Sequence, residues 1–146
     1  MQSCSLAIVW TEEYRVGVEA IDREHAALFD YVNLLLERDQ DPDEDAPGSA
    51  RDAIARLEQM FLEHFTNEEN LMQACGFPGY ESHKARHEEF LGILHRFTSF
   101  HPATGGFDGF FVGVFRNWIL YHITVNDREI GLYLARQKAA PLPSDP

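Results

Sequence analysis

Apolar residues recur at spacings of three and four along most of the chain. From Ile21 the series Ile21, His25, Leu28, Phe29, Val32, Leu35, Leu36 forms one face of a helix of about four turns. The segment Asp39 to Gly48 (DQDPDEDAPG) ends it with five acidic residues, two prolines and a glycine. Ser49 can cap a second helix, with Asp52 three residues on, and its inner stripe reads Ile54, Leu57, Phe61, His64, Glu68, Leu71. The run Cys75-Gly76-Phe77-Pro78-Gly79 breaks that helix. A third carries His83, His87, Phe90, Leu94 and Phe97 and stops before His101-Pro102, with Thr104-Gly105-Gly106 as the next turn. A fourth carries Phe111, Phe115, Trp118, His122, Asn126, Glu129 and Tyr133. With no alternating strand pattern, the expected fold is all-α, an antiparallel up-down-up-down four-helix bundle. Residues 1–146 read as a single domain, with 1–18 as an irregular N-terminal arm and 139–146 as a flexible tail.

What breaks the apolar pattern is more informative than the pattern. His64 and Glu68 occupy inward positions one turn apart, as do His83 and His87; His25 and His122 do the same in the first and last helices. A single inward imidazole can bond to a backbone carbonyl. Five of them with a carboxylate cannot all do so, and each unpaired buried polar group costs on the order of 1–3 kcal/mol against a total stability of roughly 5–15 kcal/mol. A bound metal resolves the conflict. Residues four apart on a helix differ by only ~40° and can share one ion. His122 and Asp127 are five apart, ~140° around an ideal helix, so either Asp127 reaches around or the helix deforms.

Composition narrows the chemistry. Two cysteines, Cys4 and Cys75, make neither a thiolate zinc site nor a disulfide framework, and fit a reducing cytoplasm. Imidazoles with carboxylates suit iron, zinc, copper or nickel. Five imidazoles exceed one tetrahedral zinc, whereas two metals bridged by Glu68 and Asp127 would use all seven groups. The Glu-x-x-His pair of carboxylate-rich di-iron bundles does not occur in the chain. A net charge of −12 argues against nucleic acid and anionic membrane surfaces as partners. The longest unbroken apolar run, Leu6 to Trp10, is far shorter than the ~20 residues of a membrane helix and lacks the marks of a signal peptide.

Several segments together resemble the hemerythrin family, in its single-domain bacterial form. They are Trp10, Gly17-Val18-Glu19-Ala20-Ile21-Asp22-Arg23-Glu24-His25, His64-Phe65-Thr66-Asn67-Glu68-Glu69-Asn70-Leu71-Met72, Phe77-Pro78 leading to His83 and His87, and Trp118-Ile119-Leu120-Tyr121-His122-Ile123 with Asp127. The likeness spans about residues 10–134, with Phe77 standing where the family has a tyrosine. It implies two iron ions with an oxo or hydroxo bridge: His83, His87 and His122 on one, His25 and His64 on the other, Glu68 and Asp127 bridging. Five imidazoles, four carboxylate oxygens and the bridge counted twice then fill eleven of about twelve octahedral positions. The one left open, on the iron with two histidines, is where the family binds dioxygen reversibly, each iron giving one electron.

Leu28, Phe65, Trp118, Ile119 and Ile123 are the expected lining of that position. Asp22, Glu24, Glu69 and Asn126 flank ligands and can reach the outer imidazole nitrogens; His95 and His101 read as solvated or capping residues rather than ligands. The expected role is oxygen storage, delivery or scavenging rather than catalysis. Two other readings fit the same residues: a sensor passing oxygen or redox state to a signalling or redox partner, and a di-iron enzyme acting on peroxide, nitric oxide or damaged iron centres.

Overall fold

The computed structural model describes residues 8–40, 50–100 and 109–139. A short 3-10 turn, Glu12–Tyr14, precedes α1 (Glu19–Gln40), α2 (Ala50–Cys75), α3 (Tyr80–Phe100) and a composite last rod. That rod is α4 (Gly109–Tyr121), a π-helical segment His122–Asp127 and α5 (Arg128–Ala139). No strand occurs among the described residues, and the architecture is the expected four-helix bundle. Boundaries shift modestly: α1 begins two residues ahead of Ile21 and runs through Asp39 and Gln40, which the acidic composition had assigned to the loop. Cys4, Ser49, His101, the turn at 104–106 and residues 140–146 lie outside the described residues, as do the side chains of Leu36, Ile54, Phe97 and Phe111.

The core follows the stripes. Ile21, Leu28, Phe29, Val32 and Leu35 of α1 are buried against Leu57, Phe61 and Phe65 of α2, with Phe90, Leu94, Phe115 and Ile119 completing the layer. Phenylalanine edges meet faces between Phe61 and Phe90 at 4.9 Å and Phe61 and Phe115 at 5.4 Å. Helix α2 ends because Gly76 adopts φ +68°. Its N–H reaches the Gln73 carbonyl while that of Phe77 reaches Met72, which satisfies carbonyls that the helix end leaves free.

The π segment corrects the expected stripe of the last rod. Here the backbone bonds reach back five residues, as from Arg128 N–H to the Ile123 carbonyl. The Thr124 hydroxyl donates to the Leu120 carbonyl at 2.6 Å, a side-chain bond that competes with regular helix. One extra residue in the turn advances everything beyond it by a position. Asn126 is buried as expected, but beyond it Asp127, Ile130 and Gly131 are the buried ones, while Glu129 is exposed and Tyr133 half-buried.

Candidate metal centre

All seven predicted ligand residues converge in the bundle interior, each no more than 4 % exposed. Helix α1 contributes His25, α2 His64 and Glu68, α3 His83 and His87, and the π segment His122 and Asp127. Because π bonding brings residues five apart onto one face, His122 Nε2 and Asp127 Oδ1 lie 3.0 Å from each other. Local helix deformation, not a long side-chain reach, answers the spacing problem.

The atoms divide into two groups that share both carboxylates. Glu68 Oε1 lies 3.0 Å from His64 Nε2 and 3.4 Å from His25 Nε2; its other oxygen lies 3.0 Å from His87 Nε2 and 3.5 Å from His83 Nε2. Asp127 offers Oδ2 to His25 at 3.0 Å and Oδ1 to both His83 and His122 at 3.0 Å. His87 and His122 bring their Nε2 atoms within 3.1 Å of each other. Yet all four carboxylate oxygens and the Nε2 atoms of His25 and His83 lack a hydrogen-bond partner of acceptable geometry. They are aimed at common points rather than at one another. Contacts near 3.0 Å are what neighbouring ligands show around an octahedral ion with bonds of roughly 2.1 Å. The donor set and its directions fit two cations of imidazole- and carboxylate-binding type.

Without metal the cluster is held by protons. Burial alone would depress His64, but the Glu68 carboxylate, with Glu24 outside it, raises it to about 10. Burial likewise opposes the charge on His83, and Asp127 and Glu68 raise it to about 9. For His87 burial dominates and the pKa falls to about 4. Burial would push both carboxyl groups up; instead the surrounding imidazoles hold Glu68 and Asp127 well below the usual carboxylate range.

Leu28, Phe65, Trp118, Ile119 and Ile123 line a cavity of about 10 Å³ beside His25, His64, His122 and Asp127, with Phe61 as a further wall. That is room for about one water molecule. Phe65 stacks on His87 at 3.8 Å and Trp118 on His122 at 4.5 Å, so these aromatics also fix ligand rings.

Of the candidates for outer hydrogen bonds, Glu24 meets the expectation: His64 Nδ1–H donates to its Oε2 at 3.2 Å, and Asn67 Nδ2 donates to its Oε1 at 2.9 Å. Asp22 does not face a ligand; its carboxylate accepts from the backbone N–H groups of Val16 and Gly17. Asn126 is buried and lines a separate cleft of about 210 Å³ with Arg86, Glu89, Trp118, Tyr121 and His122. His95 is exposed and pairs with Glu58 at 3.1 Å. Asn67 escaped the sequence reading, although its place three residues after His64 puts it one turn along the same helix.

Comparison with known proteins agrees with this geometry. The family described as "Hemerythrin HHE cation binding domain" matches residues 16–133. Myohemerythrin of Sipunculus nudus is 32% identical over 120 residues, covering 82% of this chain and 87% of that protein. Bacteriohemerythrin of Pseudomonas paraeruginosa is 27% identical over 120 residues, covering 82% and 76%. A solved crystal structure of wild-type hemerythrin superposes with a TM-score of 0.77 at 25% identity, covering 88% of this chain and 98% of that one. The chain belongs to the hemerythrin family.

Proposed function

We propose that this chain holds two irons between its four rods and binds dioxygen reversibly in the apolar cavity beside them. Hemerythrins are non-heme di-iron oxygen-binding proteins, and family membership carries that function here. The observation that supports the ligand assignment is the division of each carboxylate between two sides: one oxygen toward His25 and its neighbour His64, the other toward His83, His87 or His122. His83, His87 and His122 then serve one iron, His25 and His64 the other, and Glu68 and Asp127 both.

When bound, the iron pair supplies reversible two-electron binding of dioxygen. The chain's own residues decide that binding goes no further. Apart from the proposed ligands, the described lining of the cavity is apolar, so no free acid or base stands beside the bound molecule to drive onward chemistry. Leu28, Phe61, Ile119 and Ile123 are buried and exclude water from it. We therefore read the chain as a carrier or store rather than a catalyst. None of the described helices is long and apolar enough to cross a membrane. We place the protein in a reducing cytoplasm, on two cysteines of which Cys75 is free.

The test is metal analysis with a visible spectrum. Two irons per chain should be retained, with a charge-transfer band appearing on exposure of the reduced protein to air and bleaching again under vacuum. One tightly held zinc per chain, with no iron uptake on reconstitution, would overturn the reading.

A further inference from the structure

The segment ahead of α1 is fastened to the bundle at several points. The Asn33 side chain pairs with both backbone groups of Ile8, accepting from its N–H at 2.8 Å and donating to its carbonyl at 2.7 Å. Arg128 donates to the Glu13 carbonyl. Asp22 accepts from Val16 N–H at 2.7 Å and Gly17 N–H at 3.3 Å, and Gly17 turns the chain into α1 at φ +91°. Gly131 lies so close under the arm that a Cβ there would overlap the Val16 carbonyl. Asn33 and Asp22 belong to α1, Arg128 and Gly131 to α5, and the 3-10 turn packs on the π segment between. The arm therefore joins the first rod to the last.

What it covers is the His25 side of the centre. The Trp10 ring stands 6.4 Å from the His25 ring and packs edge-on to Phe29 at 5.3 Å, with Tyr14 against both Trp10 and Phe29. His25 is 1 % exposed and its outer Nδ1 is buried, so this edge is covered. A polar nitrogen left in that condition would be solvated at once if the arm lifted.

We propose that the arm is a clasp sealing the seam between the first and last rods over the His25–Asp127 edge, with Trp10 as its plug and Gly131 as its catch. It sets how readily water reaches the metal pair from that side. The kinetic consequence rests on the di-iron oxygen-binding reading; the clasp itself does not.

Three variants test it. Gly131→Ala should lift the arm, Trp10→Ala should remove the plug while leaving the fastenings, and Gly92→Ala, where a Cβ meets nothing within 4 Å, is the control. Amide exchange at Val16 and Gly17 reports the fastening, with or without metal, and decay of the oxygenated band in iron-loaded protein reports water access. Gly131→Ala should speed exchange of both amides at least tenfold and autoxidation several-fold. Trp10→Ala should speed autoxidation with those two amides still protected, and Gly92→Ala should match the parent in both measurements. Wild-type exchange in Gly131→Ala would show that there is no catch. Wild-type autoxidation in Trp10→Ala would show that the arm covers nothing, even if Gly131→Ala fails to fold. A parent protein that takes up no iron would overturn the di-iron reading, while the exchange data still judge the clasp.

Discussion

Ile119 shows how one side chain serves packing and ligand control together. It is 2 % exposed, sits in the buried core and forms part of the wall of the 10 Å³ cavity. Ile119→Ala opens that wall and admits water. It should speed autoxidation of the oxygenated protein several-fold while iron content stays at two per chain, followed as decay of the visible band at fixed pH and temperature; equal rates would reduce Ile119 to a core residue. The imidazoles make a separate prediction. His64 and His83 have folded pKa values near 10 and 9, above the ordinary 6.5, so their charged pairing stabilises the metal-free fold below pH ~6.5 and is lost as pH rises through 9 to 10. His87, depressed to about 4, acts oppositely: the unfolded chain takes up a proton below pH ~6.5 that the folded chain refuses until pH 4, so stability falls on that side too. The metal-free protein should therefore be most stable near neutrality. With metal in place the imidazoles are neutral ligands, and the alkaline loss should disappear from thermal midpoints measured between pH 6 and 10. Parallel curves with and without metal would show that these side chains are not the ligands.

Among the elements, α2 and α3 were legible because their ligand pairs keep the four-residue spacing of a regular helix. The inward face of the last rod was legible only as far as Asn126. Its sequence holds the clue to deformation in the five-residue gap from His122 to Asp127, but spacing alone does not distinguish a long reach from a π turn. The burial pattern beyond it differs for that reason: a regular helix places Glu129 inward, and the extra residue hands that position to Ile130. The fastening of the arm was hidden for a different cause. Its fastenings are backbone groups paired with Asn33, Asp22 and Arg128, and hydrophobic periodicity is blind to pairings of that kind.

For the whole molecule, the bundle followed from the apolar stripes, and six of the seven convergent residues from polar groups on faces that must be buried; Asp127 lies off those faces by spacing. Burial and helical spacing suffice for those six. The closeness of Val16 to Gly131 and the division of each carboxylate between two sides depend on how the rods pack, and no local pattern encodes them.

The π segment also gives the chain an uneven tolerance to changes in length. In a regular helix, losing one residue rotates all that follows by ~100°. Deleting the exposed Thr66 from between His64 and Glu68 would swing one partner off the bundle axis. The last rod already carries a surplus residue. Deleting Val125, which is 38 % exposed, would let its middle relax to ordinary α-helix and set His122 and Asp127 four apart, the spacing that the other two pairs use. Ile130 and Gly131 would keep their inward phase. A chain lacking Val125 should still bind two irons, and one lacking Thr66 should bind none. Metal analysis of the two purified deletions decides the matter: loss of iron from both would mean that the π turn is itself required, and the last rod would be as intolerant of shortening as the other three.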